Sequence, residues 1–178
     1  MREIILPEAK PALEWVNDRV LQKVSPKKKH GIAQGRFYTA LDEWATRTRS
    51  GIVCTEWRFR IEPPGEIRRP LVPDVAFLSY KRLPYEIQEI TDEPGVAPDA
   101  VVEVLSPDDR QADVQEKLRV YLAAGADVIF LVDTEARLVH VRDAAGERTL
   151  TEREILTHPS LPGFNLPIHK LFSIPKPE

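Results

Sequence analysis

The chain has 178 residues, of which 42% are hydrophobic and 30% charged, a balance typical of a globular domain that excludes a disordered or fibrous protein. Its 25 basic and 28 acidic side chains give a formal net charge of −3, so the surface as a whole lacks the basic character of a dedicated nucleic-acid binder. The single cysteine, Cys54, excludes an internal disulfide and a CxxC zinc ribbon.

The N-terminal part of the chain predicts a hairpin followed by a helix. Residues 13–24 form two extended runs around Asn17 and Asp18, a pair suited to the positive-φ positions of a tight turn. Residues 34–48 repeat apolar side chains at helical spacing, and Gly51 is expected to end this first helix.

Three strands are predicted in the middle of the chain. Residues 52–61 alternate between apolar and charged side chains, which is the period of a strand. Residues 74–80 and 100–105 are shorter apolar runs that predict two more strands. Between them, the acid-rich and proline-rich residues 81–98 predict a loop or lid.

A second helix and two further strands are predicted next. The sequence Ser-Pro-Asp at residues 106–108 is a helix-start signal, because Ser or Asp can cap free amides and Pro fits the first turn. The helix is expected over residues 109–124, the central strand over residues 128–132 and its neighbour over residues 138–141. These elements predict an α/β or α+β fold with mixed strand directions.

No membrane span is predicted. The longest mostly apolar run, residues 120–132, is interrupted by Gly125 and Asp127 and is shorter than the roughly 20 residues that cross a bilayer. The first ten residues contain no small-residue cleavage site. We therefore expect a cytoplasmic protein.

Two carboxylates lie inside apolar strand sequence, where an ionised group is costly to bury without a partner. They are Asp74 in VPDVAFL and Glu103 in VVEVLS. An ion pair with a structural arginine would account for either acid alone. Two acids at one end of a sheet favour instead a shared divalent cation such as Mg²⁺, which binds oxygen ligands.

The second helix carries three polar side chains at intervals of four residues, Asp113, Lys117 and Tyr121, which therefore project from a similar face. One interpretation is a local salt bridge between Asp113 and Lys117. The other places Lys117 beside Glu103, where its ammonium would hold an attacking water or stabilise charge on a phosphate. The spacing leaves both interpretations open.

Two segments of the chain resemble a known family. Pro73-Asp74 and residues 98–133, PDAVVEVLSPDDRQADVQEKLRVYLAAGADVIFLVD, are similar to the Uma-type restriction endonucleases, small bacterial members of the PD-(D/E)XK nuclease superfamily. The resemblance covers most of the chain, from EWVNDRVLQKVSP to LPGFNLPI. It implies a restriction-endonuclease-like core, with a mixed sheet flanked by helices and an N-terminal β-hairpin.

The resemblance also implies roles for individual residues. Asp74 matches the motif aspartate and Glu103 the acidic residue of (D/E)XK, so both would be catalytic metal ligands, with the backbone carbonyl of Val104 as a further ligand. The third motif position, normally lysine, is Leu105 in this chain. Related families supply the lysine from the next helix, and Lys117 is the matching catalytic candidate.

The chemistry that the resemblance implies is hydrolysis of DNA phosphodiester bonds with Mg²⁺ or Mn²⁺ and no organic cofactor. A histidine at the position of His30 is also part of the resemblance, where it would contact a phosphate or the metal, although local capping or packing is the more common role of such a side chain. Glu43 and Glu56 are candidates for a further acid of the site. Asp113 and Tyr121, on the helix face described above, complete the set of additional candidates.

We expect one domain, residues 1–178, made of a hairpin extension (1–30), a nuclease core (31–143) and C-terminal strands and loop (144–178). Cutting both strands of a duplex would need two sites, which predicts a homodimer. Two alternatives stay open. A catalytically inactive nuclease-fold module for nucleic-acid or protein binding is favoured by Leu105 and the acidic net charge, and a metal-dependent hydrolase of another kind would share the site.

Overall fold

The computed structural model describes residues 2–174 and 177 and begins with a hairpin. β1 (Leu13–Val16) pairs antiparallel with β2 (Arg19–Gln22). The two residues between them, Asn17 and Asp18, have φ angles of 48° and 55°, as a two-residue hairpin turn requires. The predicted hairpin is confirmed.

The first helix, α1 (Lys28–Thr48), begins six residues earlier than predicted, because its polar first turn carries no apolar periodicity. It ends at Arg49, which adopts the left-handed conformation with φ 52°, and not at Gly51. Gly51 opens β3 (Gly51–Thr55) instead, where a Cβ would lie 2.2 Å from the carbonyl oxygen of Leu78. The glycine therefore permits close approach of two strands.

The prediction of one strand over residues 52–61 is wrong. The chain breaks at Glu56, which has a φ of 51°, and continues as β4 (Phe59–Ile61). β4 pairs with β5 (Arg69–Leu71) in a separate two-stranded sheet. Apolar alternation runs through both segments, so the sequence pattern does not reveal the break.

The main sheet has six strands in the order β10-β9-β8-β7-β6-β3. Its five further strands are β6 (Val75–Ser79), β7 (Ala100–Val104), β8 (Val128–Asp133), β9 (Leu138–Asp143) and β10 (Gly146–Thr151). β7 and β8 are parallel and the other neighbours are antiparallel. The mixed sheet and the mixed α/β fold class are confirmed.

The parallel pair needs a crossover connection, which α3 (Gln111–Ala123) provides. This helix begins two residues later than predicted, and no side chain caps it. The Ser-Pro-Asp segment forms a turn before the helix, in which the Ser106 amide donates to Asp109 Oδ2 at 2.8 Å. The expected cap is therefore wrong, because Ser106 lies too far from the first helical turn.

Residues 81–98 form a loop that contains one helical turn, α2 (Tyr85–Gln88). The buried amide of Gln88 fastens this loop to the sheet by donating to the carbonyls of Leu78, Ser79 and Leu83 at 3.3, 3.0 and 2.7 Å. The loop is thus packed against the end of β6, an interior strand of the main sheet, and these ties were not predicted.

Helices and small sheets cover both faces of the main sheet. On one face α1 packs with the C-terminal elements β11 (Ile155–Leu156), β12 (Leu166–Pro167) and α4 (His169–Phe172) around Phe37, Phe130 and Phe164. The other face carries α3, the hairpin and β4 with β5, around Phe59, Leu118 and Tyr121. Residues 155–172 of the C-terminal segment pack back on the sheet. Within the described part of the chain, no helix combines the length and hydropathy needed to cross a membrane.

Candidate active site

A cavity of about 480 Å³ lies between the hairpin, α3 and the adjacent ends of β6 and β7. Asp74 directly precedes β6, and Glu103 is the fourth residue of β7. Val75 pairs with Val102 across these strands, so Asp74 and Glu103 stand opposite each other and share the face that α3 covers. With exposures of 2% and 8%, both carboxylates are buried at the base of the cavity.

Asp74 is held by three groups. Its Oδ2 accepts the amide of Val104 at 2.7 Å and lies 3.4 Å from Nε2 of His30. Its Oδ1 accepts Lys23 Nζ at 2.7 Å. Burial alone would raise the pKa of Asp74, but the Lys23 ammonium and the His30 ring hold it well below its ordinary value. Asp74 is therefore ionised.

Glu103 lies among groups from α3. Lys117 Nζ is 2.8 Å from each carboxylate oxygen, and the Tyr121 hydroxyl donates to Oε1 at 3.2 Å. The pKa of Glu103 is raised to about 7, mainly because the side chain is buried. The ammonium of Lys117 lowers this pKa and the carboxylate of Asp74 raises it further. The pKa of Lys117 is raised because the attraction of Glu103 and Glu14 outweighs burial.

Glu14 and Lys23, both from the hairpin, belong to the site and were not predicted. Glu14 is 1% exposed, and its Oε1 accepts the Val72 amide at 2.8 Å and lies 3.1 Å from Lys117 Nζ. Glu14 could have been recognised from the sequence. It lies two residues before the buried Val16 in a strand, so both side chains point to the inner face of the hairpin, where an acid is unusual. Nothing in the sequence marks Lys23.

His30 and Glu56 lie at the site. His30 belongs to the first turn of α1 and not to the segment before it, and among the described residues its buried Nδ1 has no hydrogen-bond partner. Burial would lower the pKa of His30, but the hydrogen bond to Asp74 raises it overall. Glu56 lies at the rim, where its carboxylate is 3.1 Å from Lys23 Nζ and accepts Gln34 Nε2 at 3.0 Å.

Asp113 serves a different purpose from the expected local salt bridge. Its carboxylate accepts Asn17 Nδ2 at 2.8 Å and Arg19 at 2.5 Å, and so ties the hairpin turn to α3. Lys117 pairs with Glu103 and Glu14 instead. The interpretation of Asp113 and Lys117 as a helical ion pair is wrong, because the hairpin supplies Asp113 with closer partners.

Glu43 is not brought to the site. It follows Gln34 by nine residues on α1, which turns it about 180° away from Gln34 at 100° per residue. Gln34 faces Asp74, whose backbone carbonyl it contacts at 2.9 Å, whereas Glu43 is exposed and lines a separate depression with Arg36 and Lys170. The expectation for Glu43 is therefore wrong.

The donor chemistry of the site fits a divalent cation. Four carboxylates, Glu14, Glu56, Asp74 and Glu103, face two ammonium groups, so carboxyl groups outnumber the ammonium groups at the site. Carboxylate and backbone carbonyl oxygens are the ligands that Mg²⁺ prefers. Over residues 2–174 and 177, however, no three His, Cys, Asp or Glu side chains are gathered as a ready-made metal cage. The lysine ammonium groups stand between the acids.

Comparison with known proteins agrees with the nuclease resemblance. The Uma2 family, described as "putative restriction endonuclease", matches residues 3–169. The crystal structure of a "putative nuclease belonging to DUF820" from Anabaena variabilis is similar with a TM-score of 0.83 and 26% identity, over 94% of this chain and 93% of that one. None of the curated proteins matches the chain.

Proposed function

We propose that this chain, which belongs to the Uma2 family of "putative restriction endonucleases", is a metal-dependent endonuclease that hydrolyses phosphodiester bonds in DNA. The observation that carries the proposal is the meeting of Asp74, Glu103 and Lys117 in one buried cavity. These residues come from two strands and a helix, and a hairpin closes them in.

Asp74, Glu103 and the Val104 carbonyl would hold Mg²⁺ or Mn²⁺. When bound, such an ion lowers the pKa of a coordinated water and polarises the phosphate. Ionised Asp74 suits this task because it is a full negative charge. The fit rests on hard oxygen donors and on the greater number of carboxyl than ammonium groups at the site.

Lys117 would supply the cation that the motif places on the strand. Leu105 occupies that strand position and packs against the apolar core on the α3 face. The ammonium of Lys117, 8% exposed, would stabilise negative charge that develops on a phosphate, because a cation acts strongly in a site that excludes water. Tyr121 orients Glu103 through its hydroxyl.

Binding of DNA would be weak and sensitive to salt. The chain has a net charge of −3, and affinity for phosphates falls steeply with salt concentration. Cleavage of both strands would need two sites, so we propose a homodimer, which light scattering would detect as twice the chain mass of 20.3 kDa. The cytoplasm is the compartment that suits this function.

Plasmid nicking in Mg²⁺ or Mn²⁺ at low salt tests the function. The parent and Glu135→Gln, a surface control, are expected to nick supercoiled plasmid, whereas Asp74→Ala and Lys117→Ala lose activity by about 100-fold or more. Equal nicking by all four proteins would indicate a contaminating nuclease and contradict the assignment. A silent parent that still binds DNA would favour the inactive binding module.

A further inference from the structure

We infer that Lys23 sets the metal affinity of the site, because its ammonium occupies Asp74 Oδ1, an oxygen that a divalent metal held by Asp74, Glu103 and the Val104 carbonyl would need. This inference rests on the proposed function and deepens it. It concerns a residue of the hairpin that lies 51 positions from Asp74 along the chain.

Three oxygens surround the Lys23 ammonium. Nζ lies 2.7 Å from Asp74 Oδ1, 2.9 Å from the Val72 carbonyl oxygen and 3.1 Å from Glu56 Oε2. The contacts with Asp74 and Val72 are hydrogen bonds, and the contact with Glu56 is an ion pair. The side chain is 11% exposed, and its charged end is enclosed on the site side of the hairpin.

The oxygen that this metal would share with Lys23 is Asp74 Oδ1. Carboxylate oxygens are among the ligands that Mg²⁺ prefers. The other oxygen of Asp74, Oδ2, already accepts the Val104 amide at 2.7 Å and lies near His30. A metal bound to Asp74 therefore competes with Lys23 for Oδ1.

Lys23 is able to withdraw without a change in the sheet. It directly follows the last residue of β2, and its backbone amide donates to the Ala12 carbonyl at 2.9 Å. This bond holds the backbone while the four-carbon stem is free to choose another rotamer. Lys23 lines the cavity of about 480 Å³, so open space adjoins the stem.

Calorimetric titration with Mn²⁺, without nucleic acid, tests the inference. Lys23→Met keeps the length of the side chain and removes the charge, and we expect it to bind Mn²⁺ at least tenfold more tightly than the parent. Even at the dielectric constant of water, one positive charge near a divalent ion changes affinity by roughly 30-fold. Lys23→Arg, which keeps the charge, and Lys29→Met, which removes a surface charge paired with Glu135, are expected to bind like the parent.

A folded Lys23→Met protein that binds Mn²⁺ no more tightly than the parent would overturn the inference. If that protein still nicked plasmid, the proposed function would stand without it. Absence of Mn²⁺ binding by both proteins would overturn this inference and the metal dependence together.

A measurement on the parent protein covers the case in which Lys23→Met does not fold. Acetylation of lysines by an activated ester, followed by mass spectrometry, reports the reactivity of each amine. We expect saturating Mn²⁺ to increase the labelling of Lys23 severalfold while Lys29, which is 58% exposed, stays unchanged. Labelling of Lys23 that ignores saturating Mn²⁺ would contradict displacement.

Discussion

Glu103→Gln is expected to make the protein more stable while it abolishes metal-dependent cleavage. Burial raises the pKa of Glu103 to about 7, from 4.5 for an ordinary glutamate. At pH values between about 4.5 and 7, the folded protein therefore binds more protons than the unfolded chain. The contribution of Glu103 to stability is fully present below pH 4.5 and is lost as the pH rises through 7. Glutamine has nearly the same shape and does not ionise.

The size of the effect follows from the pKa difference. At about 1.4 kcal/mol per pKa unit, ionising Glu103 in the folded state costs about 3 kcal/mol at pH 8. The variant is expected to gain that amount at pH 8 and less than about 1 kcal/mol at pH 5, because Glu103 is then protonated in the folded state. For a chain of this length, about 3 kcal/mol corresponds to an increase in Tm of roughly 6–12 °C.

Urea unfolding in EDTA at pH 5, 6, 7 and 8, followed by circular dichroism, measures the difference. EDTA is needed because a bound cation would stabilise the folded state of the parent. Glu135→Gln, at an exposed carboxylate, serves as control and is expected to stay within about 0.5 kcal/mol of the parent. A Glu103→Gln protein less stable than the parent at pH 8 would refute the reasoning, since it would mean that the Lys117 ion pair outweighs burial.

Two other predictions concern the hairpin and the C-terminal segment. Asp113→Ala removes the carboxylate that accepts hydrogen bonds from Asn17 and Arg19. Limited proteolysis with mass spectrometry should therefore show faster cleavage near the hairpin turn, and urea unfolding should show a decrease of about 1–3 kcal/mol in the free energy of unfolding. Unchanged cleavage would mean that other contacts hold the hairpin. The hydrogen bond from His158 lowers the pKa of Asp143, so the stability it gives is present above its ordinary pKa and is lost as the pH falls below about 4. Thermal melts at pH 5 and pH 3 should therefore show a larger loss for the parent than for Asp143→Asn, and equal losses would contradict this assignment.

Local sequence signals predicted those parts of the fold that depend on neighbouring residues. The hairpin turn at Asn17 and Asp18 follows from residues that tolerate positive φ, and β8 follows from an uninterrupted apolar run. The break at Glu56 depends on which sheet each half of the segment joins. The strands that pair with β3 and β4 lie later in the chain. The apolar alternation of residues 52–61 would therefore be the same whether or not the strand breaks at Glu56.

The acids of the site could be recognised from the sequence because a carboxylate inside an apolar strand is unusual. This signal does not depend on which residue pairs with the carboxylate in the folded chain. Asp74 and Glu103 carry that signal, and Glu14 carries it too, on the inner face of β1. Cations carry no such signal, since lysine is common on surfaces. Lys117 could be proposed because its spacing from Asp113 and Tyr121 places all three on one helix face and because the family resemblance supplies a lysine from that helix.

Lys117 and Lys23 show why one cation of the site could be predicted from the sequence and the other could not. Lys117 reaches Glu103 from the next element in the chain, 14 residues away, so connectivity limits where it can lie. Lys23 reaches Asp74 from the hairpin, which Asp113 ties to α3 and Glu14 ties to the Val72 amide. Those contacts exist only in the folded chain. Because Lys23 is far from Asp74 along the chain, a substitution at this one hairpin residue can change the affinity of the site for metal while the acidic motif stays the same.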